Sequence, residues 1–273
     1  MKRAPFLFVL IILLTACQTA TPPPTATSLP TSTSTPVPTS TNTPEPTATL
    51  EPSPTPIALP DPVNQTFSGV SVVHRETFEY VIQNAVPAGW ESEEKYALWV
   101  TKENQLKAQP TDNGNWSGTV FYFSGEKIVP NTGVYFTFKY TGTAEGFTLG
   151  FDNINPNGER ITGDNFHSVA MELRNSSLLV YGTRQKNQVR GAFKGSLAMQ
   201  PDTWYDIALA HDANDNFVIK IWDPANPGKQ LSYLRTWEDF PTAYYFISWI
   251  SAKRSLLMDD FTVFKFDEII IPE

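Results

Sequence analysis

An all-β sandwich is the fold that the sequence predicts for residues 63–273. Short runs such as Val134–Tyr140 and Phe147–Asp152 alternate apolar with polar residues, and turn-rich pieces such as Asn155–Gly158 separate them. No stretch longer than about ten residues keeps a helical period. Alternation with period two puts successive side chains on opposite faces of a strand. Many short strands at regular spacing are typical of two antiparallel sheets packed face to face.

Six further runs have the same character and are predicted to be strands: Val169–Leu173, Leu178–Gly182, Trp204–His211, Phe217–Asp223, Tyr244–Ser251 and Leu256–Lys265. Between two of them lies Asp212–Asn216, which carries several side-chain oxygens. Asp and Asn are common hairpin residues, and no matching Glu or Gly stands at the positions of an EF-hand. We therefore predict a turn there rather than a calcium loop.

The first residues have the order of a signal peptide: Lys2 and Arg3, then the apolar run Ala4–Leu14, then Leu14-Thr15-Ala16-Cys17. The apolar run is shorter than the roughly 20 residues that span a bilayer. The last four residues resemble a bacterial lipobox. This resemblance implies cleavage of residues 1–16 and a diacylglyceryl group on Cys17, the only cysteine of the chain.

Residues 17–62 are almost entirely Thr, Pro, Ser and Ala, a composition that predicts a disordered linker. In a polyproline II conformation such a stalk would reach on the order of 100 Å. We therefore expect an extracytoplasmic lipoprotein, displayed at the cell surface, whose contact with the membrane is the lipid on Cys17. The net charge of −8 argues against nucleic acid as a partner.

Several segments of residues 63–273 resemble the concanavalin A-like lectin/glucanase group, the jelly-roll domains that include laminin G-like modules. Trp204–Leu209 with Phe217–Trp222 is similar to its central hairpin, and Leu257–Val263 to its last strand. Glu76–Glu79, followed by Gly89-Trp90 and Trp99-Val100, is similar to its opening strand and first hairpin. The resemblance implies a jelly-roll sandwich with adjacent terminal strands.

A polysaccharide or glycan is the ligand that this resemblance implies. The Glu-x-Asp-x-x-Glu string of family 16 glucanases, which would place paired carboxylates on one strand, is absent from the sequence. His74, His167 and His211 have no metal-ligand spacing. We therefore favour a carbohydrate-binding module without catalysis. A glycoside hydrolase with its acid and base on distant strands is one alternative, and an adhesive or structural module with a protein partner is another.

Aromatic side chains are the expected platform for a sugar ring. Of the seven tryptophans, Trp116 and Trp237 have polar neighbours, which predicts exposure. Glu172 should point away from the core residues of its strand and could face a ligand groove. The candidates for hydrogen bonds to the ligand are Asp152, Asn153 and Arg160, which lie at and after the end of the Phe147–Asp152 run.

No cofactor is required by this interpretation, but the resemblance implies a structural calcium between the first and last strands. Glu76 or Glu79 would meet Asp259 or Asp260 there. These carboxylates are equally compatible with sheet-edge charges that prevent aggregation.

Overall fold

Two antiparallel sheets, of seven and nine strands, form the sandwich that the alternation predicted. The computed structural model describes residues 58–94, 97–111, 118–142, 146–153, 167–174, 177–184, 187–237, 243–252 and 254–270. These residues belong to one compact unit. Among them, no helix has the length and apolar character needed to cross a bilayer.

The seven-stranded sheet has the order β11-β10-β9-β8-β16-β6-β3. Its strands are β3 (Trp90–Ser92), β6 (Gly118–Ile128), β8 (Gly146–Asn153), β9 (His167–Arg174), β10 (Ser177–Arg184), β11 (Asn187–Gly191) and β16 (Tyr244–Ser251). Its middle strands come from distant parts of the chain, since β16 lies between β6 and β8.

The nine-stranded sheet has the order β12-β15-β14-β13-β7-β17-β5-β4, and β2 also pairs with β17. Its strands are β2 (Ser71–Glu76), β4 (Leu98–Val100), β5 (Leu106–Ala108), β7 (Thr132–Thr141), β12 (Lys194–Gly195), β13 (Trp204–His211), β14 (Asn216–Asp223), β15 (Asn226–Thr236) and β17 (Ser255–Lys265). The pairing of β2 with β17 brings the opening and closing strands together, as the resemblance implied.

All eight predicted runs are strands, and the Trp204–His211 and Asn216–Asp223 strands form the expected antiparallel hairpin. Its turn is held by Asp212, whose Oδ1 accepts the backbone N–H groups of Asn214 and Asn216 at 2.8 and 2.9 Å. The expected first hairpin is wrong. Trp90 and Trp99 lie in different sheets, β3 and β4.

Phenylalanine dominates the core between the two sheets. Phe136 and Phe138 of β7 face inward from one sheet, while Phe246 of β16 faces inward from the other, and all three are fully buried. Phe246 and Phe136 meet edge to face at 5.1 Å between ring centroids. Trp90 packs edge-on against Phe261 of β17 at 4.8 Å. The alternation buries these rings because period two aims one side of each strand at the other sheet.

A smaller core covers the outer face of the nine-stranded sheet. It is built by residues 58–68, which we call the N-terminal strap. The strap contains the short helix α1 (Asp61–Asn64) and β1 (Phe67–Ser68), which pairs with β18 (Glu268–Ile269). Leu59, Val63 and Phe67 are buried there against Trp222 of β14 and Phe264 of β17. The domain start predicted at residue 63 therefore falls inside a packed segment.

Candidate functional site

The outer face of the seven-stranded sheet carries aromatic and polar side chains. On β16, Phe246 and Ile250 point into the core, so Tyr245, Ile247 and Trp249 face outward. These three outward residues lie away from the sheet edges, because β16 has β6 on one side and β8 on the other.

Strand register aligns small side chains in the middle of this face. One row crosses the sheet through Glu91, Tyr122, Ile247, Gly150, Ala170 and Tyr181. Gly150 and Ala170 leave a low floor between the two tyrosines. A Cβ atom on Gly150 would come within 2.2 Å of the Val169 carbonyl oxygen, so no side chain fits at that position.

The low floor forms a groove of about 260 Å³, which we call the outer-face groove. It is lined by Val120, Thr148, Asp152, Ser168, Ala170, Tyr181, Ile247 and Trp249. Along the strands, Trp249 and Thr148 stand toward one end, while Tyr245, Asp152 and Ser168 align toward the other. The Thr148 hydroxyl accepts the backbone N–H of Trp249 at 3.0 Å, which holds the two strands in place at that end.

Tyr122 and Tyr245 form a stacked pair beside the groove, with ring centroids 5.8 Å apart and planes 26° apart. Glu91 holds one member of this pair. Tyr122 Oη donates to Glu91 Oε2 at 2.7 Å, and Ser124 Oγ donates to Glu91 Oε1 at 2.8 Å. Burial and, secondarily, the charge of Glu91 raise the pKa of Tyr245, so its hydroxyl stays protonated at neutral pH. The pair is therefore a neutral aromatic surface with hydroxyl groups.

Two of the sequence-predicted ligand residues lie on this face. Asp152 lines the groove, and Glu172 of β9 points opposite the core residues Met171 and Leu173, as predicted. Asn153 has the opposite orientation to Asp152 and is 5% exposed, so it lies toward the sandwich interior instead. Trp116, Arg160 and Cys17 lie outside the described residues.

The predicted exposure of Trp237 is wrong, because the ring is buried at 7% exposure. Its ring lies directly over Gly182 of β10, where a Cβ atom would come within 2.1 Å of the indole. The guanidinium of Arg235 lies 5.4 Å from the ring centroid. Trp237 is therefore part of the core between the sheets, despite the acidic residues that follow it in the sequence.

The outward carboxylates on neighbouring strands are well separated. Glu172 pairs across from Thr148, four residues along β8 from Asp152, so the backbones of Asp152 and Glu172 are about 14 Å apart. Glycosidases hold their carboxyl groups roughly 5 to 9.5 Å apart. Among the described outward positions of β8, β9 and β16, each strand carries at most one carboxylate.

Sequence reasoning missed the aromatic residues that surround the groove: Tyr122, Tyr181, Tyr245 and Trp249. In Tyr244–Ile250 every residue except Ser248 is apolar or aromatic, so alternation does not show which side faces outward. The alternation in Val120–Phe123 is masked in the same way, since Tyr122 follows Phe121 and precedes Phe123.

The four acidic residues predicted to bind calcium lie where β2 meets β17. Glu76 pairs with Phe261, and its Oε1 accepts the backbone N–H of Phe78 at 2.7 Å. Asp260 forms an ion pair with Arg75. Burial raises the pKa of Asp259, and the charges of Asp260 and Glu79 add to that rise. The described residues contain no group of three or more His, Cys, Asp or Glu with metal-binding geometry.

Comparison with known structures identifies the architecture. The chain is similar to the VIP36 exoplasmic/lumenal domain bound to Ca²⁺ and Man3GlcNAc, with a TM-score of 0.51, 12% identity, and 73% and 91% of the two chains covered. An endo-acting O-glycanase of the human gut microbiota has a TM-score of 0.53 at 11% identity over 72% and 100%. An endo-β-1,3-glucanase from Pyrococcus furiosus has 0.53 at 11% over 73% and 95%.

Neither family models nor curated protein sequences give a match. The structural likenesses show a concanavalin A-like jelly-roll fold. This fold carries both lectins and glycan-cleaving enzymes, so the site itself has to distinguish between binding and catalysis.

Proposed function

We propose that the outer-face groove binds a glycan chain without cleaving it. The observation that carries this proposal is the low floor of Gly150, Ala170 and Ile247 with aromatic side chains around it. The apolar face of a sugar ring can stack on Trp249 or Tyr181, as aromatic platforms do with other flat apolar surfaces. Asp152 and Ser168 supply hydrogen-bonding groups for sugar hydroxyls.

The groove is small, so we expect it to hold only part of a glycan chain. Its volume of about 260 Å³ is slightly below the roughly 300 Å³ at which enclosing ligand pockets begin. Structural neighbours support the ligand class, since one is bound to Man3GlcNAc and another acts on mucin O-glycans.

The lectin interpretation is tested with two tryptophan variants. Trp249→Ala removes a groove ring and should weaken glycan affinity about five- to thirtyfold, the equivalent of about 1 to 2 kcal/mol, with little change in melting temperature. Trp237→Ala removes a core ring and should instead lower the free energy of unfolding by about 3 to 5 kcal/mol. Binding is measured on a glycan array and then by calorimetry with the best glycan. Unchanged affinity in Trp249→Ala would contradict the proposal.

A glycan-cleaving enzyme is the second candidate, favoured by the O-glycanase and glucanase among the structural neighbours. The outward carboxylates of Glu91, Asp152 and Glu172 would then supply the acid and base. The wide spacing of Asp152 and Glu172 and the hydrogen bonds that occupy Glu91 argue against this assignment. Release of reducing sugar from the array's best glycan, lost in Asp152→Asn, would establish the enzyme instead.

An adhesive module is the third candidate. Tyr80 and Ile82 lie in the loop between β2 and β3 with 97% and 80% of their surface exposed. If glycans fail to bind, Tyr80→Ser combined with Ile82→Ser tests whether this loop holds a protein partner.

The proposal includes display from a membrane through a lipid on Cys17. The strap enters the domain on the outer face of the nine-stranded sheet, whereas the outer-face groove lies on the other sheet and faces the opposite way. A structural calcium is part of the same proposal, with Glu76 or Glu79 and Asp259 or Asp260 as its carboxylates, because a bound cation would offset the repulsion between them.

A further inference from the structure

A second groove lies on the outer face of the nine-stranded sheet, beside the N-terminal strap. It has a volume of about 540 Å³. Its polar lining is Gln65, Thr66, Lys194, Lys220, Gln230 and Ser232, and we call it the basic groove. Among the described residues, its lining contains two lysines and no carboxylate. The whole chain has a net charge of −8, so the groove is a small positive region on a negatively charged protein.

Strand register places the two lysines on either side of one serine. Lys220 of β14 pairs across from Ser232 of β15, and Lys194 of β12 pairs across from the same Ser232. Adjacent strands are about 4.8 Å apart, so the two backbones are about 10 Å apart. Lysine side chains are long enough for both ammonium groups to reach a single group above Ser232.

Lys220 is half-buried, and its described contacts include no acidic partner. Its Nζ donates to Thr66 Oγ1 at 3.0 Å, while the Thr66 hydroxyl donates to the Pro62 carbonyl oxygen at 2.7 Å. Neither Lys220 nor Lys194 forms an ion pair within the described part of the chain. Burial lowers the pKa of Lys220, which means that its charge is incompletely compensated.

We propose that the basic groove binds an oxyanion, a carboxylate, sulfate or phosphate, carried on a small polar ligand. Two ammonium groups with a hydroxyl between them can donate charge-assisted hydrogen bonds to one such group. Gln65 and Gln230 offer amide donors and acceptors to the body of the ligand. This site lies on the sheet opposite the outer-face groove and does not depend on the proposed glycan binding.

The proposal is tested by calorimetric titration of the full chain at low ionic strength. The probes are sulfate, glucuronate and glucose 6-phosphate, with neutral glucose as the uncharged reference. Lys194→Gln and Lys220→Gln should each weaken binding of the anions about tenfold, the effect of one charge-assisted hydrogen bond, and leave any binding of neutral glucose unchanged. Lys229→Gln is the matched control, because Lys229 is an exposed lysine of β15 outside the groove.

The probes also distinguish the source of the anion. Equal affinity for sulfate and for the two sugars would mean that the oxyanion alone is recognised, whereas tighter binding of glucuronate or glucose 6-phosphate would mean that the sugar body contacts the groove. Lys194 is exposed, so its variant should fold normally even if Lys220→Gln is destabilised. The proposal is overturned if no anion binds the wild type, or if Lys194→Gln and Lys229→Gln bind the anions as the wild type does.

Discussion

Asp206 should make the domain less stable as the pH rises from about 4 to about 7. This residue lies on the outer face of β13 and is 4% exposed. Its Oδ1 is buried without a hydrogen-bond partner among the described residues. Burial raises the pKa of Asp206 from its ordinary 3.8 to about 7, and the charges of Asp260 and Asp223 add to the rise, while hydrogen bonds from Tyr135 and Trp222 oppose it.

The direction of this pH dependence follows from proton binding to Asp206 in the folded and unfolded states. The unfolded chain releases the proton of Asp206 near pH 3.8, whereas the folded domain keeps it until about pH 7. Between these values the folded state binds more protons, so the free energy of unfolding decreases as the pH rises. A shift of about three units corresponds to roughly 4 kcal/mol at 1.36 kcal/mol per unit.

Asp206→Asn removes this titration with little change in shape. Urea unfolding of the full chain and of the variant should give a stability difference that grows in favour of the variant from about pH 4 to about pH 7, and then stays constant. His211 opposes the trend in both proteins, because burial lowers its pKa and the fold loses stability as the pH falls below about 6.5. Its effect cancels in the difference. A difference that is independent of pH would refute the assignment of the proton to Asp206.

Four other expectations follow from the sequence and the structure. Cys17→Ser should abolish lipidation and release the protein from the membrane fraction, whereas an unmodified N-terminus on wild-type protein would argue against the anchor. If calcium binds at Asp259, chelation should lower the melting temperature. The stability lost is about 2.7 kcal/mol when calcium is initially present at a hundredfold excess over its dissociation constant. An identical melting curve in calcium and in chelator would rule out the site. Val63→Ala should lower the free energy of unfolding by about 2 kcal/mol, because its fully buried side chain packs in the core under the strap. A chain starting at Asn64 should also have a lower melting temperature than one starting at Ala58. Equal melting temperatures would mean that the strap does not contribute to stability. Glu91→Gln keeps one hydrogen-bond acceptor and should weaken glycan binding less than Glu91→Ala, which frees Tyr122, and equal effects would show that Glu91 does not position that ring.

Local pattern was sufficient for eight of the strands and for one residue of the outer face. Alternation in Val169–Leu173 put Glu172 on the outward face, and the structure agrees because the pleat itself sets that orientation. The same local reasoning failed for Trp237. Its acidic neighbours predicted exposure, but Gly182, far away in the sequence, leaves the space that the ring fills.

The sequence by itself determined eight of the strands and, where polar and apolar residues alternate, which side chains face the core, because both properties depend on neighbours two residues apart. It also indicated the jelly-roll class and the adjacent terminal strands. It did not indicate β6 or β15. Only the tertiary structure decided that Tyr122, Ile247, Gly150 and Tyr181 form one row, since the register between strands is set by pairing over long separations. Both proposed binding grooves are products of that pairing, and no local pattern contains them.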